Sequence, residues 1–183
     1  MELLMESLRE APLVDRDGYD YFVHPVTDGL PAVTPELLEE IASAIEERVD
    51  VRSVDKILTA ESMGIHHATA LSLSSRVPFV VARKRPYGFD GEVAVHQQTG
   101  YDEGELYVNG IEPGDRVLVL DDVLATGGTL SALHNALESI GADVREVVVV
   151  IRKRLGSPAE LPFDVTSLVT VEIVDGQVVV EQS

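Results

Sequence analysis

The hydrophobic positions of the chain alternate between short apolar runs and amphipathic segments. Thr34-Pro35-Glu36 is typical of a helix start, and the apolar residues that follow recur at helical spacing up to Val49. Later apolar runs are short and continuous, as in buried strands, and the segments between them have a helical period. The predicted elements after this first helix are strands at 56–60, 77–83, 105–110, 116–120 and 145–151, and helices at 65–75 and 129–141.

The two ends of the chain have different patterns. Residues 1–9 are a predicted short amphipathic helix, whereas residues 12–33 have no helical period and predict irregular structure with short strands. At the other end, the predicted strands 165–174 and 177–181 are joined by Asp175-Gly176, a hairpin turn. Residues 84–104 predict a long mobile loop or ribbon, a kind of segment that is usually functional.

Strands that alternate with amphipathic helices predict an α/β domain with a mostly parallel sheet and helices on both faces. We expect one domain over residues 1–183, because no linker or repeat divides the chain. Ligands of such sheets bind beyond the carboxyl ends of the strands. This rule selects the segments after Ala60, Ala82 and Leu120, and the segment after Ile151 lies at the same edge.

Composition narrows the function. The chain holds 32 acidic residues against 14 Lys and Arg, which makes nucleic acid an unfavourable partner. There is no cysteine, so thiolate chemistry and a disulfide scaffold are excluded. No apolar segment is long enough to cross a bilayer, and we expect a cytoplasmic protein without a membrane partner. The acid excess is best explained by a halophile's cytosol, where salt screens the repulsion.

The few basic residues are clustered. Six of the 14 lie in two triplets, Arg83-Lys84-Arg85 and Arg152-Lys153-Arg154, each directly after a predicted strand. In a chain that otherwise avoids positive charge, this clustering indicates an anionic ligand. A pair of salt-bridged strand ends is the alternative for each triplet.

The segment VLVLDDVLATGGT, residues 117–129, combines two kinds of binding group. Its Thr-Gly-Gly-Thr turn enters a helix, where backbone N–H groups and the helix dipole favour an anion. The adjacent Asp121 and Asp122 repel phosphate but accept hydrogen bonds from a vicinal diol. We infer a ribose 5-phosphate moiety as the ligand. The spacing matches neither a nucleotide P-loop nor a GxGxxG dinucleotide turn.

This segment resembles the phosphoribosyl-pyrophosphate motif of type I phosphoribosyltransferases. TAESMGI (59–65) and RKRPYG (83–88) are similar to the pyrophosphate loop and catalytic-loop entry of adenine phosphoribosyltransferases. Residues 20–180, with YDYFVHPVTDG and VHQQTGY, resemble the archaeal hypoxanthine/guanine phosphoribosyltransferase-like group. The resemblance implies the type I fold, with a small N-terminal hood from about residues 1–35. It also implies a purine salvage enzyme that uses phosphoribosyl pyrophosphate, a purine base and Mg²⁺.

Site residues follow from the same resemblance. Asp121 and Asp122 would hold the ribose hydroxyls, and Ala125, Thr126, Gly127, Gly128 and Thr129 would hold the 5-phosphate. The pyrophosphate would contact Glu61, Ser62, Met63, Gly64, Arg83 and Lys84. Candidates for the hood over the base are Tyr21, Phe22 and His24, with core packing as the alternative. No direct metal ligand is predicted, because the substrate would hold Mg²⁺.

Two departures leave the catalytic base unassigned. Where adenine enzymes place a glutamate before a Tyr-Gly pair, this chain has Thr99-Gly100, and where hypoxanthine/guanine enzymes place an acid, it has Ala125. Glu103 and Glu105 are nearby candidates, with a solvated loop face as the alternative. A non-catalytic sensor of phosphoribosyl pyrophosphate, an adenine enzyme and a pyrimidine-handling relative are the competing functions.

Oligomerisation is the last expectation from the sequence. The predicted helix 65–75 presents apolar positions, and related enzymes pair at this helix, so we expect a homodimer. His66-His67 opens the same helix. Because adjacent histidines on a helix point in different directions, we expect helix surface or a dimer contact here rather than a metal site.

Overall fold

The computed structural model describes residues 1–16, 19–98, 103–154 and 161–183. Five helices lie in this part of the chain: α1 (Glu2–Arg9), α2 (Pro25–Asp28), α3 (Pro35–Glu46), α4 (Gly64–Ser75) and α5 (Gly128–Ile140). Its strands are β1 (Leu13–Arg16), β2 (Tyr19–Phe22), β3 (Lys56–Ala60), β4 (Phe79–Ala82), β5 (Val93–Gln98), β6 (Glu103–Val108), β7 (Arg116–Leu124), β8 (Asp143–Lys153), β9 (Thr166–Val174) and β10 (Gln177–Gln182).

A six-stranded sheet with the order β10-β9-β8-β7-β3-β4 forms the centre of the molecule. Neighbouring strands from β9 to β4 are parallel, and β10 pairs antiparallel with β9 through the predicted hairpin. Asp175 and Gly176 in that turn both have positive φ, at 51° and 72°. The predicted α/β class with a mostly parallel sheet is confirmed.

Helices cover both faces of the sheet, as the sequence predicts. Alternate residues of a strand point to opposite faces, and in β7 Leu118 and Leu120 pack on one side while Val117 and Val119 pack on the other. The first side carries α1, α3 and α4, and the second carries α5 and the ribbon of β5 and β6. No helix in the described ranges is long and apolar enough to cross a membrane.

Local capping signals have the expected geometry. The Thr34 hydroxyl accepts a hydrogen bond from the backbone N–H of Leu37, and Pro35 occupies the first turn of α3. Gly141 ends α5 with a φ of 83°, in the left-handed region that glycine tolerates without steric cost. These two helix boundaries could therefore be predicted from single residues.

Two predicted segments near the candidate site differ from the structure. The strand predicted at 116–120 continues to Leu124, because β7 and β8 pair Asp121 with Val149 and Val123 with Ile151. Asp121 and Asp122 therefore lie within the paired strand rather than beyond its end. The segment predicted as a loop or ribbon at 84–104 contains β5 and the start of β6, so the ribbon interpretation is confirmed.

The prediction that both histidines of the pair lie on the helix surface is wrong for His67. Its side chain is 1% exposed, and its Nε2 lies 3.4 Å from the carbonyl oxygen of Val26. Burial lowers the pKa of His67 to about 3, so this imidazole is neutral. His66 is half-buried beside it.

Candidate active site

Several loops meet at the carboxyl edge of the sheet, where β3, β7 and β8 end. A cavity of about 180 Å³ opens there between the end of β7 and the N-terminal hairpin. Both aspartates and the whole predicted phosphate turn line it. The lining residues are Tyr21, Thr27, Asp121, Asp122, Val123, Leu124, Ala125, Thr126, Gly127, Gly128, Thr129, Leu130 and Lys153.

The turn between β7 and α5 has the geometry of an anion site. Gly127 adopts a φ of 85° directly before the helix, a conformation that favours glycine. No side chain caps this helix start in the described structure. The backbone N–H groups of the first turn of α5 are therefore available to a ligand in the cavity. The first-turn N–H groups and the positive end of the helix dipole both favour a bound anion.

Asp121 and Asp122 form a strained electrostatic pair. Asp121 is 5% exposed, and its Oδ1 accepts a hydrogen bond of 3.1 Å from the backbone N–H of Asp122. Burial raises the pKa of Asp121 to about 6. Burial and the neighbouring charge of Asp121 raise the pKa of Asp122 well above its usual value. Such a pair favours a ligand that brings hydroxyl donors or a cation.

The predicted pyrophosphate loop lies directly against Asp121. Residues 61–63 connect β3 to α4, and the peptide between Glu61 and Ser62 is cis. A Cβ on Gly64 would lie 2.0 Å from Thr59 Oγ1 and 3.2 Å from Asp121 Oδ1. Only glycine permits this close approach, which brings the start of α4 to the acidic pair.

Two residues of the first basic triplet, Arg83 and Lys84, contact the same loop. Arg83 Nε lies 3.0 Å from Glu61 Oε2, and the backbone N–H of Lys84 donates to that oxygen at 3.1 Å. The backbone of Arg83 also exchanges two hydrogen bonds with Tyr107, which fixes the ribbon to the end of β4. Arg85 turns away and donates to the Tyr87 hydroxyl.

The three hood candidates separate in the structure. Tyr21 lines the cavity, and its hydroxyl donates to Asp28 at 3.0 Å. Phe22 and His24 are each 1% exposed and lie outside the cavity lining. The prediction that these two residues contact the base is therefore corrected. Phe22 packs in the core, and His24 caps α2 through its Nδ1. Burial lowers the pKa of His24 to about 4.

The structure does not bring Glu105, one of the two candidate bases, to the cavity. Glu105 is exposed on β6, accepts a hydrogen bond from the Tyr107 hydroxyl, and is absent from the cavity lining among the described residues. Glu103 begins β6, opposite Gln98. Thr99-Gly100, one of the departures from the family pattern, lies outside the described residues.

Three residues of the site were not predicted from the sequence. Lys153 lines the cavity, with its Nζ 4.6 Å from the centre of the Tyr21 ring. Thr27 lines it from α2, and the Gln97 side chain of β5 donates to the Thr129 hydroxyl at 2.9 Å. Lys153 could have been proposed from the basic triplet Arg152-Lys153-Arg154, but the side chains of Arg152 and Arg154 contact other parts of the protein.

Those two members have structural partners. Arg152 donates to the carbonyl oxygen of Val165 at 2.9 Å, whereas Arg154 forms ion pairs with Glu172 and Glu181 at 3.1 and 2.7 Å. The alternation of side chains along the strand end explains the separation, because neighbours point to opposite sides.

The sheet is mostly parallel and has helices on both faces, and at its carboxyl edge an anion-binding turn at the start of α5 lies beside two adjacent acids. This combination is that of an α/β protein of the phosphoribosyltransferase class. The family described as phosphoribosyl transferase domain matches residues 33–182. The chain belongs to this family.

Relatives with similar sequences cover almost the whole chain. It is 53% identical over 182 residues to "HGPRTase-like protein 2" of Haloterrigena turkmenica, covering 98% of this chain and 99% of that protein. It is 55% identical over 184 residues to a "Hypoxanthine/guanine phosphoribosyltransferase" of Methanothermobacter thermautotrophicus, covering 99% of this chain and 95% of that one. The predicted membership of the archaeal hypoxanthine/guanine-like group is confirmed.

Solved structures support the fold. The adenine phosphoribosyltransferase of Rhodothermus marinus superimposes with a TM-score of 0.70 at 26% identity, over 93% of this chain and 99% of that one. The adenine phosphoribosyltransferase of Thermoanaerobacter pseudethanolicus gives a TM-score of 0.72 at 20% identity, over 91% and 99% of the two chains. The second likeness bears on the fold alone.

Proposed function

We propose that this protein is a purine salvage enzyme that transfers 5-phosphoribosyl from phosphoribosyl pyrophosphate to hypoxanthine or guanine. The products are the nucleoside 5′-monophosphate and pyrophosphate. One observation carries the proposal: the adjacent acids Asp121 and Asp122 line the same cavity as the anion turn 125–129. A ribose phosphate offers a diol for the acids and a phosphate for the turn.

The sugar phosphate is fixed at its two ends. Hydroxyls 2′ and 3′ donate to Asp121 and Asp122, and the 5-phosphate accepts hydrogen bonds from the backbone of residues 125–129 and from the Thr126 and Thr129 hydroxyls. The raised pKa values of the acids support this arrangement, because hydroxyl donors stabilise the carboxylates that burial destabilises. This positioning leaves C1′ directed toward the hood.

Breaking the C1′–O bond concentrates negative charge on the departing pyrophosphate. Arg83 and the backbone of residues 61–64 stabilise that charge, and Lys84 adds a second cation at the strand end. Mg²⁺ would be held mainly by the substrate, and bound Mg²⁺ would neutralise part of the charge on pyrophosphate.

The wall of the cavity supports a 6-oxopurine. Lys153 and Tyr21 line the cavity together, with Lys153 Nζ 4.6 Å from the Tyr21 ring centre, and we assign the base to this side of the cavity. An ammonium group donates to the carbonyl oxygen at C6 of hypoxanthine or guanine, whereas the amino group of adenine cannot accept such a bond. We therefore favour hypoxanthine and guanine over adenine, the base in the names of the superimposed structures.

The base that handles the purine proton is unassigned. Glu103 and Glu105 stay the candidates, and Glu105 would need to move to reach the cavity. The position of Glu105 outside the cavity lining is also the observation that favours the second function, a non-catalytic sensor of phosphoribosyl pyrophosphate. Turnover separates these two functions.

We further propose a homodimer in the cytoplasm. A groove of about 810 Å³ lies between α3 and α4 and is lined mainly by apolar and small residues, among them Leu38, Ile65 and Leu73. Leu73 is 65% exposed. Pairing through α4 would cover this surface, and Ser62 of the pyrophosphate loop lies at its margin. Nucleic acid and membrane are not expected partners of so acidic a chain.

Base specificity tests the proposal. Rates with hypoxanthine, guanine, xanthine and adenine should be measured with phosphoribosyl pyrophosphate and Mg²⁺ at high salt. We expect kcat/KM for hypoxanthine and guanine to exceed that for adenine. Lys153→Met should lower kcat/KM for the 6-oxopurines by about tenfold and leave adenine turnover unchanged, since a hydrogen bond to a charged donor is lost. Preferred use of adenine by the wild type would contradict the assignment.

A further inference from the structure

Glu61 has a position that its predicted role does not explain. Its carboxylate was expected to contact pyrophosphate, yet an ionised carboxylate is an acceptor only and repels that ligand. In the structure Glu61 Oε2 instead lies on the two groups expected to bind pyrophosphate. It accepts the backbone N–H of Lys84 at 3.1 Å and pairs with Arg83 Nε at 3.0 Å.

The contact with Arg83 is an incomplete one. The buried Nε–H of Arg83 has no hydrogen-bond partner among the described residues, although the carboxylate lies at ion-pair distance. The N–H direction therefore leaves a donor that a differently placed oxygen could satisfy. A buried donor without a partner costs free energy, so the site favours an anion that reaches it.

We propose that Glu61 is a placeholder anion for the pyrophosphate group. In the free protein its carboxylate occupies the position of a pyrophosphate oxygen beside the Arg83 side chain and the backbone N–H of Lys84. It is displaced when the pyrophosphate of the substrate binds. This inference rests on the proposed function, because it identifies the cations as the pyrophosphate site.

The surroundings of Glu61 permit this exchange. Its backbone N–H donates to the carbonyl oxygen of Ala82 at 2.9 Å, so the main chain stays fixed while the side chain moves. The side chains of Glu61 and Arg83 are 28% and 34% exposed, and an ion pair this close to solvent is weak enough to open. Held in place, the carboxylate also keeps solution anions such as chloride away from the cations.

The test compares the binding of inorganic pyrophosphate to four proteins by calorimetry, with and without Mg²⁺. The wild type is compared with Glu61→Ala, which removes the competing anion, and with Glu61→Gln, which retains the shape of the side chain. Asp90→Asn is the matched control, because it removes one exposed negative charge from the segment after the triplet. Circular dichroism confirms that each variant is folded.

We expect both Glu61 variants to bind pyrophosphate about two- to fivefold more tightly than the wild type, the effect of one exposed ion pair. Their binding should also become more sensitive to chloride, whereas Asp90→Asn should match the wild type. Weaker or equal binding in Glu61→Ala would overturn the inference, since Glu61 would then be a positioning residue for Arg83. If no protein binds pyrophosphate or phosphoribosyl pyrophosphate, the proposed function itself fails.

Discussion

Asp121 and Asp122, the proposed ribose-binding acids, have pKa values that make them costly to the stability of the free protein. Both pKa values are raised, so the folded protein binds more protons than the unfolded chain above the ordinary pKa of aspartate. The contribution of Asp121 to the stability of the free protein is therefore lost as the pH rises from about 4 to about 6, and the raised pKa of Asp122 acts in the same direction.

The stability effect is testable with Asp121→Asn combined with Asp122→Asn. The double variant should unfold at a higher denaturant concentration than the wild type at pH 7.5, because neutral amides replace two carboxyl groups whose pKa values the fold raises. The difference should disappear below about pH 4, where aspartate is protonated in both states. A variant that is less stable than the wild type at pH 7.5 would contradict the electrostatic account of this pair.

The same double variant should bind phosphoribosyl pyrophosphate much more weakly. Each charged hydrogen bond to the diol contributes about 1.5–3 kcal/mol, so loss of both is easily measured by calorimetry. Asp50→Asn combined with Glu112→Gln is the matched control, because it removes two exposed carboxylates at the opposite edge of the sheet. Equal affinity of the double variant and this control would remove the acids from the ribose site.

Gly64 is required by the close approach of the pyrophosphate loop to the sheet. In Gly64→Ala the new Cβ would meet Thr59 Oγ1 at 2.0 Å, and the start of α4 must shift. We expect a loss of about 1–3 kcal/mol in the free energy of unfolding, as for other overpacked sites. Gly104→Ala is the control, because nothing lies within 4 Å of the added methyl group. Equal stability of the two variants would show that the loop adapts freely.

At the scale of elements, the ribbon of β5 and β6 is anchored on one face. Leu106 and Val108 are completely buried, and Val93 and Val95 pack against the same cluster beneath α5. Gln97 connects this ribbon to the phosphate turn through Thr129. We therefore expect any movement of the ribbon over a substrate to leave these buried residues in place. Hydrogen exchange measured with and without ligand identifies the residues that move.

Gln97 also provides a charge probe of the phosphate turn. Gln97→Glu replaces the amide that donates to Thr129 by a carboxylate, which can accept a hydrogen bond from the Thr129 hydroxyl instead. We expect phosphoribosyl pyrophosphate to bind about tenfold more weakly, because the carboxylate repels the 5-phosphate across a few ångströms. Gln97→Leu removes the hydrogen bond without adding charge, and its effect should be smaller. Similar affinities for the two variants would place the 5-phosphate elsewhere.

Most elements could be predicted from the sequence because their signals are local. Thr34, Pro35 and Gly141 mark helix ends by capping geometry, and apolar runs mark the buried strands. The extension of β7 through its two aspartates was not predictable, because pairing with β8 stabilises an acidic strand end. The sequence also could not predict which way a side chain points where tertiary packing determines its direction.

The hood and the second basic triplet illustrate that limit. Tyr21 and Phe22 are adjacent in sequence, yet only Tyr21 lines the cavity, because Phe22 fills the core beneath the hairpin. Among the three bases after Ile151, Lys153 alone lines the cavity, since Arg154 pairs with two glutamates. The motif 117–129 could be found because the whole anion turn and both acids lie within 13 consecutive residues.

At the scale of the whole molecule, the acidic surface opposes dimerisation, whereas the apolar groove between α3 and α4 favours it. A net charge of −18 opposes association at low salt, whereas salt screens the repulsion and strengthens apolar burial. We expect a dimer by sedimentation at molar salt. Leu73→Glu should give a monomer, because it places a charge in the groove, whereas Val179→Glu on β10 should leave the dimer intact. A monomeric wild type would contradict pairing through α4.

The central claim is that the acids and the anion turn hold phosphoribosyl pyrophosphate for transfer to a 6-oxopurine. Phosphorus NMR of the protein with phosphoribosyl pyrophosphate, Mg²⁺ and hypoxanthine follows substrate, pyrophosphate and nucleotide in one sample. The account predicts that the substrate signals are replaced by equal amounts of pyrophosphate and inosine 5′-monophosphate, and only when the base is present. Tight binding of phosphoribosyl pyrophosphate without nucleotide formation, with either hypoxanthine or guanine, would contradict it and favour the sensor.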